Sequence, residues 1–391
     1  MMTRNAASSL YLDNNATTPV DPAVSAVMSP LLQRAYGNPH SEHAPGWDAA
    51  GLIDEAQAHA ANLIGASPDE IVFTSGATEA NNHAIQGVLR RISGRKAHLI
   101  TTAIEHKSVL QTCMAMHCDD VELQILPVGK DGRIDPDRVA AALKDETVLV
   151  SVGMANNEIG AVQPVREIAA LCRDRGVTFH TDAAQAIGKI PVNVIADGID
   201  LLSLSGHKLY GPKGIGALYV SRHAPVKPSP LIFGGAQQNG MRAGTVPTFL
   251  CVGLGEACHI AGQRLQADSE HAAHLRAMLI STLQASIPDL ELNGTMEHRL
   301  AGNLNIHIPG VDAEALLSAL QGKIAASTGS ACNAGLIEPS HVLRAIGLSS
   351  EAIASSIRIG IGRMTTEADI QTAAALIADK ATSLRRIPIY S

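Results

Sequence analysis

Aromatic side chains are scarce in this sequence: they make up 3% of 391 residues, although 46% of the residues are hydrophobic. The core must therefore be aliphatic and rich in alanine, a composition that favours helices packed on parallel strands. No apolar run approaches the roughly 18 residues that a membrane span requires. The first residues, MMTRNAASSLYLD, lack the apolar stretch of a secretory signal. We therefore expect a soluble, cytoplasmic protein that does not associate with membranes.

Basic residues are also few, with 30 Lys and Arg against 37 Asp and Glu, a net charge of −7. Such a chain is expected neither to bind nucleic acid directly nor to adhere to anionic lipid. The cysteines are scattered, at positions 113, 118, 172, 251, 258 and 332, which predicts reduced thiols and no disulfide framework. Cys113 and Cys118 have no further ligands at metal-site spacing, so we predict no metal site.

Apolar strands alternate with amphipathic helices over the first two thirds of the chain, which predicts a mainly parallel sheet with helices on both faces. The length predicts one large and one smaller domain. A helix at residues 247–266 is expected to lead out of the large domain, and a smaller unit to begin near Leu275. Thr366 and Asp369 have the spacing of a capping box at the start of the last helix. Ligands of such sheets bind at the carboxyl ends of the strands.

The stretch SLSGHKLYGPKG, residues 203–214, places Lys208 directly after an apolar run that reads as a buried strand. Lysine is rarely fully buried, and the simplest interpretation is a loop lysine with a packed stem and a solvated amine. The alternative is an amine kept reactive by desolvation, which lowers the pKa of lysine and suits Schiff-base chemistry. Considered alone, the stretch favours the first interpretation.

Other strand ends also carry polar groups. In TSGATEA, Gly76 and Thr78 stand at a helix N-terminus, which can hold a phosphate group. Asp182 ends the strand of FHTDAAQ, where a carboxylate needs a cationic partner such as the pyridine nitrogen of pyridoxal phosphate. Gln185 can hydrogen-bond the phenolic oxygen of that cofactor, and His106 can stack on its ring. By itself the TSGATEA turn favours an ordinary capped helix, and Asp182, Gln185 and His106 are each equally compatible with an ordinary rim residue.

The whole chain resembles the NifS/IscS-type cysteine desulfurases, which are pyridoxal phosphate enzymes of the class V aminotransferase group. The matching segments are YLDNNATTPVDP, GNPHSEH, EIVFTSGATEANN, TAIEHKSVL, ANNEIGAVQP, FHTDAAQAIGK, SLSGHKLYGPKGIGALYV, MRAGT, STGSACNAGLIEPSHVLRAIGL and SIRIGIGR. The resemblance implies an α/β fold, the fold-type I transferase, with a mainly parallel seven-stranded sheet between helices. The large domain would span residues 16–262. Residues 1–15 and 263–391 would form a smaller α+β domain with a long mobile cysteine loop at about 326–339.

The resemblance also implies how the cofactor, pyridoxal 5'-phosphate, is held. Lys208 would bind it covalently, and Asp182 would pair with its pyridine nitrogen. Gln185 would contact the ring oxygen, while His106 would stack on the ring and share the proton transfers with Lys208. The residues that would hold the phosphate are Gly76, Ala77, Thr78, Ser205 and His207.

Further roles implied by the resemblance concern substrate and partners. Asn157 would contact cofactor or substrate, and Arg358 would bind the carboxylate of L-cysteine, a role that suits a planar guanidinium. Cys332 would take the substrate sulfur as a persulfide, leaving L-alanine, and pass it to an acceptor protein. Thr245 would reach the phosphate in the other subunit of a homodimer. Branches of the family serve iron–sulfur cluster assembly, tRNA thiolation or DNA phosphorothioation, and the sequence does not choose among them.

Two other functions stay open at this point. A selenocysteine lyase, or another class V lyase or aminotransferase, would keep the cofactor and change the reaction; simple transamination needs no loop cysteine. A non-catalytic scaffold would tolerate the loss of Lys208. One segment, FGGAQQNGMRAGT, departs from the family pattern because Gln238 and Asn239 replace a charged pair.

Overall fold

The computed structural model describes residues 9–328 and 339–386, so Cys332 lies outside the described residues. The described strands are β1 (Leu10–Tyr11), β2 (Ile71–Thr74), β3 (Ala97–Thr102), β4 (Val121–Leu126), β5 (Thr147–Ser151), β6 (Thr178–Asp182), β7 (Leu201–Ser205), β8 (Gly216–Val220), β9 (Glu291–Leu292), β10 (Asn303–His307), β11 (Ile324–Ala325) and β12 (Ser356–Gly360). The described helices are α1 (Pro22–Met28), α2 (Leu31–Arg34), α3 (Ala44–Ile64), α4 (Ala77–Arg91), α5 (Lys107–Met116), α6 (Pro136–Ala142), α7 (Val165–Asp174), α8 (Thr248–Ser286), α9 (Ala313–Ala319), α10 (His341–Ala345), α11 (Ser350–Ala354) and α12 (Glu367–Arg385). None of these helices is both long enough and apolar enough to cross a membrane.

A seven-stranded sheet in the order β2-β8-β7-β6-β5-β3-β4 forms the centre of the larger part of the described chain. The strands from β7 to β4 pair in parallel, whereas β8 is antiparallel to both of its neighbours. The link between β7 and β8 holds no crossover helix, and a strand that returns without one must run antiparallel. The predicted mainly parallel seven-stranded sheet is confirmed.

Successive residues of a strand pack against helices on opposite faces of the large sheet. Leu149 of β5 and Leu201 of β7 pack with α4 and α5, while the next residues, Val150 and Leu202, pack with α3, α6, α7 and α8. This alternation follows from the two-residue period of a strand. Phe179 is fully buried, and aliphatic side chains supply most of the remaining core. The predicted helices on both faces of the sheet are therefore present.

A second apolar core lies around smaller sheets. Strands β12, β10 and β9 form an antiparallel sheet, and β1 pairs in parallel with β11. The N-terminal segment thus joins elements from the last third of the chain, and Asp13 continues the contact by bridging Gly360. Helices α9 and α12 and the second half of α8 cover this core. The domain boundaries at residues 15/16 and 262/263 stay a prediction.

Helix α8 differs from the sequence prediction. We expected a helix at residues 247–266 and a new unit near Leu275, but the structure has one continuous helix of 39 residues. Residues 263–286 contain neither glycine nor proline, so nothing in the sequence ends the helix there. Leu254 belongs to the core under the large sheet and Leu279 to the second core. One helix therefore contributes residues to both cores.

The capping box predicted for the last helix is confirmed. The Thr366 hydroxyl accepts a hydrogen bond from the backbone N–H of Asp369 at 3.2 Å, and the Asp369 carboxylate accepts one from the N–H of Thr366 at 2.9 Å. Aspartate thus replaces the usual glutamate at the third position.

The departure from the family pattern at Gln238 has a structural role. Strand β2 is an edge of the large sheet. The Gln238 amide accepts a hydrogen bond from the N–H of Phe73 at 2.6 Å and donates one to its carbonyl oxygen at 2.9 Å. An amide can donate and accept together, whereas a carboxylate only accepts and a guanidinium only donates. Gln238 therefore covers part of an edge that would otherwise be open to pairing.

Helices α3 and α8 make a close contact that generates a stability prediction. A Cβ on Gly255 would lie 2.6 Å from the Cα of Ala56, so Gly255→Ala should lose roughly 1–3 kcal/mol of stability through overpacking. Gly51, also in a helix, has open space around the same position, and Gly51→Ala should gain up to about 1 kcal/mol. In thermal unfolding, Gly255→Ala should have a lower midpoint than the wild type, whereas Gly51→Ala should not. Equal shifts in both variants would contradict the close contact.

Candidate functional site

A cavity of about 540 Å³ opens at the carboxyl ends of the central strands. It gathers most of the residues predicted for the site: Gly76, Ala77, Thr78, His106, Asn157, Asp182, Gln185, Ser205, His207, Lys208 and Arg358. Thr245 is exposed and is not part of this lining. Residues far apart in the sequence therefore meet because parallel strands end at one edge of the sheet.

Lys208 ends a short 3₁₀ turn that follows β7 directly. Its Nζ donates hydrogen bonds to the carbonyl oxygens of Asn15 at 2.5 Å and Ala16 at 2.8 Å, and the side chain is half-buried. Backbone carbonyls of the N-terminal segment therefore hold the amine at the wall of the cavity. This arrangement differs from a loop lysine whose amine is fully solvated.

Asp182, at the end of β6, is held by two donors. The N–H of Ala184 donates to Oδ1 at 2.9 Å and the amide of Asn81 to Oδ2 at 2.7 Å. Asn81 is fully buried on α4, and the sequence analysis missed it; the doubled asparagine in TEANN was the available signal. Each carboxylate oxygen of Asp182 thus has one donor and can accept a further hydrogen bond from a group in the cavity, which Asp182 lines.

His106 is the N-cap of α5 and lines the cavity. Its Nδ1 accepts a hydrogen bond from the N–H of Ser108 at 3.1 Å and lies 2.7 Å from the Ser108 hydroxyl, which accepts from Asn81. An amide N–H can only donate, so the neutral ring carries its proton on Nε2. Desolvation by burial lowers the pKa of His106, with Asp182 acting in the opposite direction. The ring is therefore a neutral donor at Nε2.

Helix α4 points its N-terminus at the cavity. Gly76 is its N-cap with φ of 149°, a backbone conformation that favours glycine. The hydroxyls of exposed Thr78 and buried Ser205 lie at the same end of the cavity, as does His207. Desolvation lowers the pKa of His207 to about 4, so its ring is neutral. Free helix N–H groups and hydroxyls form a site for an anion.

Arg358 extends from β12 and is 2% exposed. Its Nη2 bonds the carboxylate of Asp13 at 2.9 Å and its Nη1 the carbonyl oxygen of Asn157 at 3.4 Å. Its Nε is buried and has no hydrogen-bond partner among the described residues. The sequence analysis missed Asp13, although it is the third residue of the matching segment YLDNNATTPVDP. The guanidinium thus keeps a donor that Asp13 does not use, as the binding of a second carboxylate requires.

Two buried glutamates, which the sequence analysis also missed, lie near the cavity. Glu105 accepts hydrogen bonds from the Thr102 hydroxyl and the N–H of Gly153, and burial raises its pKa to about 8. Glu158 accepts a hydrogen bond from Ser340, and burial raises its pKa to about 7. Glu105 is therefore mostly protonated at neutral pH and adds little negative charge beside Asp182.

Comparison with known proteins identifies the family of this architecture. The model of the aminotransferase class-V family matches residues 10–372. The chain belongs to the class-V aminotransferase family. It is 46% identical over 379 residues to a cysteine desulfurase IscS of Rickettsia rickettsii (strain Iowa), covering 97% of this chain and 92% of that protein. It is 50% identical over 362 residues to a cysteine desulfurase of Homo sapiens, covering 92% of this chain and 79% of that protein.

A solved structure gives the same result for the fold. The structure of SspA in complex with cysteine superposes with a TM-score of 0.80 at 37% identity, covering 91% of this chain and 99% of that chain. The predicted α/β fold, the predicted family and the prediction of an enzyme similar to the cysteine desulfurases are confirmed. The roles of individual residues stay predictions.

Beneath the cavity, His180 generates a prediction about pH. It is fully buried on β6, with Nδ1 2.8 Å from the hydroxyl of Ser151 and Nε2 3.0 Å from that of Ser203. Burial lowers its pKa to about 4. The unfolded pKa is about 6.5, so this contribution to stability is present above pH 6.5 and is lost as the pH falls toward 4. The loss should be on the order of 2 kcal/mol between pH 7 and pH 5.

A His180→Gln variant cannot take up this proton. Its thermal midpoint should fall less than that of the wild type when both are moved from pH 7 to pH 5, whatever its stability at pH 7. The other histidines titrate in both proteins and cancel in the comparison. An equal fall in both proteins would show that His180 does not carry the effect.

Proposed function

We propose that the protein is a pyridoxal phosphate-dependent cysteine desulfurase that moves sulfur from L-cysteine to Cys332 and then to an acceptor protein. The observation that carries the proposal is the convergence of Lys208, Asp182 and the N-terminus of α4 on one cavity. These groups supply an amine, a carboxylate and an anion site within one enclosure. The likeness to proteins named cysteine desulfurase supports the same activity here.

The donor set fits pyridoxal phosphate at each of its polar groups. The N-terminus of α4, with Thr78 and Ser205, suits the phosphate. Asp182, anchored by Asn81, suits the protonated pyridine nitrogen, and Lys208 would hold the aldehyde carbon covalently. When bound, this cofactor withdraws electrons from the α-carbon of an amino acid. The chain's own residues then decide which amino acid binds and where its protons and sulfur go.

Arg358 and Asn157 would select the substrate. The guanidinium of Arg358, which lines the cavity, would bind the α-carboxylate of L-cysteine. Asn157, whose carbonyl oxygen accepts a hydrogen bond from Nη1, would help to hold the guanidinium at the cavity wall. The solved complex of SspA with cysteine supports L-cysteine as the ligand.

Proton transfers would fall to Lys208 and His106. Both line the cavity, and a lysine amine released into a poorly solvated site can act as a base near neutral pH. The neutral His106 ring carries a proton on Nε2 that it can donate. The two residues would move protons between the α-carbon, the β-carbon and the departing sulfur, so that the carbon skeleton of cysteine leaves as alanine.

Cys332 would receive the sulfur. Its thiolate would attack the substrate sulfur, form a persulfide S–S bond and break the substrate's C–S bond, while the β-carbon takes up a proton. The described residues on either side support this role. The N–H of Arg358 bonds the carbonyl oxygen of Ser327 at 2.6 Å, and His341 Nε2 lies 2.9 Å from the carbonyl oxygen of Glu105, which lines the cavity. The described residues on both sides of the segment that contains Cys332 therefore lie next to the cavity.

A homodimer belongs to the same proposal. Thr245 is exposed and absent from the cavity lining of its own chain, so it is available to the phosphate site of a partner subunit. Exposed large apolar side chains support such an interface: Phe233 is 78%, Tyr36 80% and Trp47 64% exposed. The acceptor protein and the cytoplasmic location stay predictions.

The sulfur-acceptor role of Cys332 generates a direct test. Cys332→Ser should keep pyridoxal phosphate bound but lose alanine formation from L-cysteine at least about 100-fold, since the nucleophile is gone. Cys118→Ser, at an exposed thiol, is the matched control and should stay active. Mass spectrometry after one turnover should place the extra sulfur on Cys332. A Cys332→Ser enzyme with the wild-type rate would instead favour a lyase or aminotransferase without a loop nucleophile.

The shared phosphate site generates a second test. Thr245→Glu should repel the phosphate and Lys208→Ala should remove the covalent anchor, so each variant alone should be inactive. A mixed dimer would have one intact site, and an equal mixture should regain about a quarter of wild-type activity. Lys208→Ala mixed with Asp182→Ala is the control. Each of these changes inactivates the cavity of its own chain, so their mixed dimer has no intact site and should stay inactive. Failure of the first mixture to regain activity, with mixed dimers demonstrated, would contradict a shared site.

A further inference from the structure

A second lysine amine adjoins the proposed cofactor site. Lys189 lies four residues after Gln185, and its Nζ donates a hydrogen bond to Gln185 Oε1 at 2.9 Å. Lys189 is half-buried and lines a small cavity of about 50 Å³, and Asn15 and Lys208 line both this cavity and the large one. The segment FHTDAAQAIGK therefore contributes a residue that the proposed mechanism does not use.

Hydrogen bonds link Lys189 to Lys208 through the side-chain amide of Gln185 and the backbone carbonyl group of Asn15. Gln185 Nε2 donates to the carbonyl oxygen of Asn15 at 2.8 Å, and that oxygen also accepts from Lys208 Nζ. A carbonyl oxygen only accepts, so the nitrogen of the Gln185 amide must face Asn15 and its oxygen must face Lys189. The second N–H of this amide stays available to the large cavity, which Gln185 lines.

The charges around Lys189 do not explain its position as an ion pair. Burial, then Lys208 and then Arg358 lower its pKa to about 7. Asp268 and Arg363 line the same small cavity, but Asp268 is bonded to Arg363 and to Arg264. Two further titratable groups lie near Lys189, and both are neutral: the ring of His207, and Tyr210, whose pKa burial raises. A poorly solvated amine among cations costs free energy, which indicates a task in the site.

We propose that Lys189 is a positioning residue that fixes the Gln185 amide, so that one N–H of Gln185 is held ready for the phenolic oxygen of the cofactor. This inference rests on the proposed function, because the phenolic oxygen enters with pyridoxal phosphate. Without the donor on Lys189, the amide can turn about its last bond and the N–H loses its fixed direction.

The consequence is a change in the protonation of the linkage between Lys208 and the cofactor. A donor on the phenolic oxygen stabilises its anionic form and so makes the neighbouring linkage nitrogen less basic. Loss of the fixed N–H should therefore raise the pKa of that nitrogen. The shift should be about one unit, as expected for the loss of one charge-assisted hydrogen bond.

The test is a pH titration of the visible absorbance of the holoenzyme. Lys189→Met and Lys189→Ala, two variants without a donor, should both move the midpoint upward by about one unit. Lys189→Arg should restore it toward the wild-type value because it keeps the donor. Lys144→Met, at an exposed surface ion pair with Glu122, is the matched control and should leave the midpoint unchanged.

Dependence on Gln185 completes the test. In a Gln185→Ala background, Lys189→Met should add less than half of the shift that it causes alone. An unchanged midpoint in both donor-free holoenzymes, or an equal shift with and without Gln185, would overturn the proposal. A wild-type protein that binds no pyridoxal phosphate would instead refute the proposed function, so the two failures are distinguishable.

Discussion

The hydrogen bonds from the Lys208 amine to the carbonyl oxygens of Asn15 and Ala16 hold the site together. They bring an N-terminal segment onto the turn after β7. The carbonyl oxygen of Asn15 also accepts from Gln185, so one carbonyl group aligns two residues that follow different strands. This N-terminal segment belongs by its strand pairing to the second core. The large cavity is consequently closed by residues from both ends of the chain.

The second constraint is that most ionisable side chains near the large cavity are electrically neutral. Glu105 and Glu158 have raised pKa values, and His106, His180 and His207 have lowered ones, in each case chiefly through desolvation. At neutral pH these groups adopt their neutral forms, except Glu158, whose pKa of about 7 leaves it partly ionised. Asp182, Lys208 and Arg358 line the same cavity. A bound molecule with an anionic end and a protonated ring nitrogen would find complementary charges there.

The two cores are joined firmly near the site. Helix α8 extends through both, and Arg363 forms ion pairs with Asp21 at 2.8 Å and Asp268 at 2.7 Å. The same guanidinium lies over the ring of Tyr210, 4.3 Å from its centre, two residues after Lys208. Buried, multiply bonded ion pairs of this kind fix geometry more than they add stability. The position of Arg358 relative to Lys208 therefore depends on the contact between the cores.

The sequence alone determined the alternation of strands and helices, the capping box of α12 and the polar residues at strand ends, because each depends on short-range periodicity or spacing. It also carried the family resemblance. Only the tertiary structure decided the long-range partners: Asn81 behind Asp182, Asp13 on Arg358 and Gln238 on the edge strand. Each of these contacts joins a side chain to a group whose position depends on how the elements pack. The continuity of α8 was missed for a related reason, since its buried face changes from one core to the other along its length.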